Sequence, residues 1–262
     1  VDVDIAVFSN LTPEHLDFHG DMENYFKSKL KLFAELDSSK TAVVNLDDPS
    51  SEKIYSATSA KVITYGMNEK ADLFPIQSVF NLNGTEAYLQ FGKTELVINT
   101  DLVGRYNLSN IMAASAVSLD MGVPSQKIEQ ALKNLTPIPG RLEQITCDCP
   151  GKVFIDYAHT PDAYENLFSS LTELKDAEDN IIVVFGCGGD RDSNNRSKMA
   201  EIIETYTTFS FVTMDNPRTE PLEKINANII QGFSELNYEI ISDRKTALET
   251  ALSRMDDHSI LL

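Results

Sequence analysis

At 262 residues the chain has room for one large or two ordinary domains, and its 42% apolar content supports a packed core rather than a disordered polymer. A formal net charge of −18 argues against nucleic acid as a partner, so any anionic nucleotide would have to meet locally focused Lys, Arg, Mg2+ and helix N-termini. No run approaches the roughly 20 apolar residues of a membrane span and no signal peptide is evident; Cys147, Cys149 and Cys187 make neither a zinc pattern nor a paired framework, as expected in a reducing cytoplasm.

The first apolar run, Ile5-Ala-Val-Phe8, reads as a strand end. Asn10 to Gly20 then forms a loop carrying His15 and His19, and Asp21–Leu36 has helical composition with no internal Pro or Gly. On a helical wheel Met22, Tyr25, Phe26, Phe33 and Leu36 share one face, Lys27 and Lys31 fall on the polar side, and Lys29 falls in the middle of the apolar stripe. A lysine there either snorkels to water or is desolvated, and desolvation makes the neutral amine accessible. Two loop histidines beside such a lysine make a candidate metal or phosphate site.

Further along, Thr41–Leu46 reads as a buried strand, a helix follows from Pro49, and Lys61–Tyr65 is a strand. Short alternating strands are expected between Val79 and Asn99 around the hairpin signal Asn83-Gly84. Helical patterns return at Asn107–Met121 and Ser125–Asn134, and Pro137-Ile-Pro139-Gly140 breaks the chain at the best domain boundary. Beyond it, four apolar runs (Val153–Asp156, Ile181–Gly186, Phe209–Asp215, Tyr238–Asp243) each lead into a helix and end about 30 residues apart, one βα unit each. This predicts a parallel sheet flanked by helices, whose ligands bind beyond the strands' carboxyl ends, where Asp156, the Gly186–Asp192 loop and Asp215–Arg218 should gather.

Gly186-Cys-Gly-Gly-Asp-Arg191-Asp192 imitates a dinucleotide fingerprint, but Arg191 occupies the third glycine slot and would obstruct close helix–strand packing. The loop reads instead as a turn presenting Arg191 to an anion. Asp215-Asn216-Pro217-Arg218 offers an acceptor for an ammonium and a bidentate fork for a carboxylate, which together suit an amino-acid end; Pro217 could also simply start the helix Leu222–Phe233. Thr160 and Pro161 make an N-cap followed by Pro at N1, whereas Asp156 has no evident structural role and His159 stays open between substrate contact and turn packing. Asn107 is balanced between capping the helix after Gly104-Arg-Tyr and contacting an adenine edge. There is no Gly-x-x-x-x-Gly-Lys-Ser/Thr phosphate loop.

Taken together, Asn10–Lys29, Gly104–Asn107, Pro139–Glu143, Asp156–Asp162, Gly186–Met199 and Asp215–Arg218 resemble, in order, the motifs of the Mur ligases, the ATP-dependent amide-forming enzymes of cell-wall precursor synthesis. The resemblance implies an α/β chain: the remainder of a central ATPase-type domain over 1–137 and a C-terminal Rossmann-like, amino-acid-binding domain with a mainly parallel sheet over 138–262. It implies a Lys29 carbamate, formed by attack of the neutral amine on CO2, that helps His15 hold Mg2+ beside ATP; oxygen ligands suit that ion. It places Asn107, Arg141 and Asp156 at the nucleotide and Arg191, Asp215, Asn216, Pro217 and Arg218 at the amino acid. The best-matching member adds the third stem-peptide residue, with UDP-MurNAc-L-Ala-D-Glu and meso-diaminopimelate as substrates and an acyl phosphate as intermediate. Alternatives are a lysine- or other diamino-acid-adding member, folylpolyglutamate synthetase, or a non-catalytic binding module. The phosphate loop, an upstream metal-binding glutamate and a downstream Gly-Lys-Gly-His-Glu segment of that member are absent from these residues, so the chain is expected to be a piece of the ligase and inactive alone.

Overall fold

The computed structural model describes residues 2–13, 16–135 and 138–262. His15 and the Pro137 end of the expected boundary lie outside the described residues. The chain divides into two compact units, 1–136 and 137–262.

The first unit is a six-stranded sheet in chain order, β1 (Ile5–Phe8), β2 (Thr41–Asn45), β3 (Lys61–Tyr65), β4 (Leu73–Asn81), β5 (Gly84–Phe91) and β6 (Thr94–Thr100). β1 to β4 pair in parallel, and β4–β5–β6 is an antiparallel meander. The sequence placed this meander at Val79, but β4 starts earlier, at Leu73, and carries a bulge between Pro75 and Gln77 that interrupts its alternation.

Side-chain alternation explains how β2 is buried along its whole length. Ala42 and Val44 join Phe8, Phe26, Phe33 and Ile54 on one face, under α2 (Met22–Ala34) and α3 (Ser51–Ala57). Val43 points oppositely, into Leu73, Leu89, Leu108 and Met112 beneath α4 (Arg105–Asp120) and α5 (Ser125–Lys133). A short α1 (Leu16–His19) precedes α2, whose first turn is closed by Asp21, accepting the Asn24 amide at 2.8 Å.

The second unit has strand order β11-β10-β9-β12-β8-β7, from β7 (Glu143–Ile145), β8 (Lys152–Ile155), β9 (Asn180–Phe185), β10 (Phe209–Val212), β11 (Tyr238–Ile240) and β12 (Ser259–Leu261). All pairs are parallel except β7–β8. Two of these strands escape the sequence pattern. β7 and β12 are three residues each, too short for a period, and β12 inserts between β8 and β9. On one face Ile182, Val184, Phe211 and Leu261 pack against Ala247 and Ala251 of α9 (Arg244–Ser253). From the other, Phe185 meets Tyr164 of α6 (Pro161–Leu174) and Phe233, which follows α8 (Leu222–Ile230), while α7 (Asn194–Tyr206) meets α6 through Tyr206 stacked on Phe168.

Two expectations are corrected. α8 starts after Pro221, not Pro217, so Pro217 is free of a helix-starting role. Cys147 and Cys149 are joined by a disulfide: only Asp148 separates them in the loop between β7 and β8, with Cα atoms 5.4 Å apart. The reading of three unpaired cysteines fails there, and only Cys187 is a free thiol, buried, with its pKa pushed up to about 12 by desolvation.

Candidate functional site

In the first unit the Asp21 cap sets the phase of α2, and that phase decides the position of Lys29. Phe26 and Phe33 are buried, Met22 and Tyr25 are half-buried, and Lys29 is half-buried too. Of the two readings of Lys29, half-burial fits the snorkelling one. The core-facing line of the helix runs through Phe26 and Phe33, and Lys29 sits at its margin. Its ammonium lies 4.8 Å from the centroid of the Tyr25 ring, and the His19 ring lies 4.9 Å from Tyr25 on a tilted plane. His19, Tyr25 and Lys29 therefore form a row at the start of α2, the cation held by the π-face of tyrosine. Among the described residues no group of three or more His, Cys, Asp or Glu side chains gathers to hold a metal. As a carbamate Lys29 would offer oxygen ligands; as an amine it does not fit magnesium.

Asn107 is buried within the first turn of α4, and Gly104, not Asn107, is the N-cap, so the capping reading is corrected. The Asn107 amide donates to the Val103 carbonyl at 2.8 Å, which fixes the side chain.

In the second unit a parallel sheet places the exits of β8, β9, β10 and β11 along one edge. Thr160 caps α6 through the Ala163 amide at 3.3 Å, with Pro161 at the first helical position, as the sequence predicts. Asp156, at the exit of β8, does have a structural role. Its carboxylate accepts the Leu142 amide at 2.7 Å and the Ala158 amide at 2.8 Å, holding Leu142 at φ 46°. Burial pushes its pKa up, against those two amides and the charge of Arg141. Arg141 is exposed and lies 5.5 Å from the Tyr157 ring centroid; His159 turns its Nδ1 to the Tyr157 carbonyl at 3.0 Å.

The Gly186–Asp192 and Asp215–Glu220 loops leave β9 and β10 and lie against each other. The Gly189 amide donates to the Asn216 carbonyl at 2.8 Å, and Arg218 Nη1 donates to the Gly189 carbonyl. Thr219 donates its amide and hydroxyl to the Asp190 carboxylate, at 3.1 and 2.8 Å. A methyl on Gly186 would overlap the Thr213 carbonyl oxygen, and one on Gly189 that of Pro217. These glycines serve loop-on-loop contact. Asp190 and Arg218 both adopt positive φ, 53° and 50°, so the backbone is strained on both sides of the contact. Arg191 and Asp215 are exposed beside it. The two loops carry two guanidinium donors, Arg191 and Arg218, and the carboxylate acceptor of Asp215, the kinds of group that pair with the carboxylates and the ammonium of an amino acid.

Three residues here escaped the sequence reading. Arg244 opens α9 at the exit of β11 and donates to the Met214 carbonyl at 3.2 Å; its position just after the strand end Ser242-Asp243 was the available signal. Arg196 lies beneath the loops and Glu220 ends the second of them; Arg196 shares a helical stripe with the buried Met199, Ala200 and Ile203.

Residues 1–118 match the Mur ligase middle domain and residues 140–262 match the Mur ligase, glutamate ligase domain. The UDP-N-acetylmuramoyl-L-alanyl-D-glutamate–2,6-diaminopimelate ligase of Syntrophomonas wolfei is 39% identical over 257 residues, covering 96% of this chain and 52% of that protein. A solved ligase of the same description is 31% identical, with TM-score 0.66, over 100% of this chain and 54% of that one. The Mycobacterium tuberculosis folylpolyglutamate synthase complexed with ADP shares the fold, with TM-score 0.80 at 20% identity over 99% of this chain and 60% of its own. The chain spans about half the length of the curated relatives it matches. With both units matched in order, the chain belongs to the Mur ligase family.

Proposed function

We propose that this chain is the part of a UDP-MurNAc-L-Ala-D-Glu–meso-diaminopimelate ligase that holds the amino acid and part of the nucleotide site. The observation that carries this reading is the contact of the Gly186–Asp192 and Asp215–Glu220 loops beyond β9 and β10, the loops whose sequences include Arg191, Asp215 and Arg218. The relatives near 40% identity carry that activity in their names. In this reading Arg218 takes the distal carboxylate of diaminopimelate, Arg191 adds positive charge, Asp215 orients the ammonium, and Asn216 and Pro217 shape the turn between them. A lysine substrate would leave Arg218 without its partner.

The reaction is amide formation through an acyl phosphate. The glutamate carboxylate of the dipeptide attacks the terminal phosphoryl group of ATP and displaces ADP, the incoming amine attacks the resulting acyl phosphate and gives up a proton, and the tetrahedral intermediate expels phosphate to leave the amide. Asn107 in the first unit and Arg141 and Asp156 in the second are the nucleotide-contacting candidates. Lys29, carbamylated, and His15 would hold magnesium, which when bound would neutralise charge on the transferred phosphoryl group. A cytoplasmic location follows from the nucleotide substrates; among the described residues no helix is long and apolar enough to cross a membrane.

The test is phosphate release and amide formation by the full-length gene product with ATP, UDP-MurNAc-L-Ala-D-Glu and meso-diaminopimelate. Release that needs all three supports the reading; turnover with glutamate or folate substrates instead contradicts it. The 262 residues alone lack a phosphate loop and should give no turnover, so a rate of about 1 per second or more from them would overturn this division of labour.

A further inference from the structure

Beneath the two loops lies a buried ion pair to which the functional reading gives no role. Arg196 is 1% exposed. Its Nη1 donates to Glu220 Oε1 and to Asn228 Oδ1, both at 3.0 Å, and its Nη2 donates to Glu220 Oε2 at 2.6 Å and to the Gly188 carbonyl at 3.1 Å. Glu220 Oε2 also accepts the Asp190 amide at 3.1 Å. One guanidinium thus holds the carbonyl of Gly188 in the first loop and the carboxylate that ends the second, and that carboxylate reaches back to Asp190 in the first. Arg196 Nε is buried with no hydrogen-bond partner among the described residues.

A pair of this kind is a poor way to obtain stability alone. Desolvating two charges offsets most of their attraction, and an orphaned donor adds to the cost. What it supplies is geometry. A planar fork fixes both distance and angle, and here the fixed objects are the loops that carry Arg191 and Arg218. The strained backbone at Asp190 and Arg218 is held from the same point: the Asp190 amide bonds Glu220, its carboxylate bonds Thr219, and the Arg218 guanidinium bonds Gly189. The bidentate hydrogen bonds also hold the Glu220 carboxyl far below the usual range, at about 2, so it stays ionised in this role.

We infer that the Arg196–Glu220 pair is a positioning device that sets the spacing of Arg191 and Arg218, and through it selectivity for an amino acid with a distal carboxylate. The inference rests on the amino-acid-binding reading of the two loops. Arg196 touches no substrate; it acts through the loops.

The test uses Arg196→Lys, which keeps the charge and removes the fork, with two readouts. In hydrogen exchange on the chain, the Gly189, Asp190 and Thr219 amides should exchange faster while those of Val183 and Phe211 in the sheet stay protected. In the full-length enzyme the KM for meso-diaminopimelate should rise ~10- to 100-fold, as misplaced binding groups do, with the KM for ATP and for the nucleotide dipeptide unchanged. A merely structural pair would lower the yield or melting temperature and leave the KM of the folded enzyme intact. Unchanged exchange at the three loop amides, an unchanged diaminopimelate KM, or an equal rise in all three KM values would overturn the inference. Should Arg196→Lys fail to fold, Thr219→Ala removes only the exposed half of the lock and should still raise the diaminopimelate KM several-fold; no change there overturns the inference as well. A wild type that ligates no diamino acid would reveal failure of the functional reading separately, before any variant is made.

Discussion

Lys29 and Arg196 pose the same question in two helices. Each is a cation placed by helical periodicity on an otherwise apolar stripe, Lys29 among Tyr25, Phe26 and Phe33 of α2, Arg196 among Met199, Ala200 and Ile203 of α7. The outcomes differ. Arg196 is buried because the chain supplies Glu220, Asn228 and a carbonyl for its fork. Lys29 stops half-buried at the edge of its stripe, over the face of Tyr25, and no carboxylate meets it among the described residues. A cation whose counter-ion is built into the fold serves the structure around it. The other, Lys29, meets an aromatic face instead of a carboxylate among the described residues, so no ion pair of the fold accounts for it.

The largest effect expected from this contrast is at Lys29. In the full-length enzyme Lys29→Ala should cut turnover by about two orders of magnitude or more, as loss of a group positioning charge at the phosphoryl centre does, while stability changes by no more than about 1 kcal/mol. Added short carboxylates should restore part of the rate by replacing the lost anion. Near-normal activity without additive would remove the carbamate from the account and make Lys29 an ordinary surface cation.

The second unit predicts a sharper pattern between neighbouring glycines. Gly189→Ala drives a methyl into the Pro217 carbonyl and should cost about 1–3 kcal/mol of stability, as overpacking does, with loss of diaminopimelate affinity. Gly188→Ala meets Arg218 Nη1 at 3.2 Å and no backbone atom nearer than the Asn216 carbonyl oxygen at 3.7 Å, so it should cost less stability than Gly189→Ala. Equal denaturation midpoints for both variants would mean the two loops are not in contact.

Acid titration isolates the pair itself. The Glu220 carboxyl is held down from 4.5 to about 2, first by the Arg196 hydrogen bonds, with the Asp190 amide and Lys224 contributing, against a desolvation that opposes them. The folded state therefore binds fewer protons than the unfolded one in that range. The stabilisation is present above about pH 4.5 and is lost as pH falls toward about 2. Denaturant unfolding of wild type against Glu220→Gln should show a gap at neutral pH that closes over this window. A gap independent of pH would show that ionisation of Glu220 is irrelevant to the loop contact.

Much of this was legible in the residues. The strands Ile5–Phe8 and Lys61–Tyr65, the Thr160 cap and the gathering of Asp156, Gly186 and Asp215 at strand exits follow from local patterns that tertiary contacts do not override. What stayed hidden depends on distant partners. β12 has three residues and is a strand only because β8 and β9 flank it. The role of Asp156 needs the Leu142 amide, 14 residues away, and burial of Arg196 needs Glu220, 24 residues away. The wheel that singles out Lys29 would have singled out Arg196 equally, but periodicity cannot say which cation finds its counter-ion.

The central claim is that the loop cluster at the exits of β9 and β10 selects an amino acid by its distal carboxylate, with Arg218 as the pairing group. The direct measurement is kcat/KM for meso-diaminopimelate and for L-lysine in the full-length enzyme, wild type and Arg218→Ala. Removing one partner of a charged hydrogen-bonded pair costs about 2–5 kcal/mol, so the variant should lose a factor of roughly 30 to several thousand on diaminopimelate, chiefly through KM, and narrow the preference over lysine. A wild type that prefers lysine, or a preference that Arg218→Ala leaves unchanged, would contradict the claim.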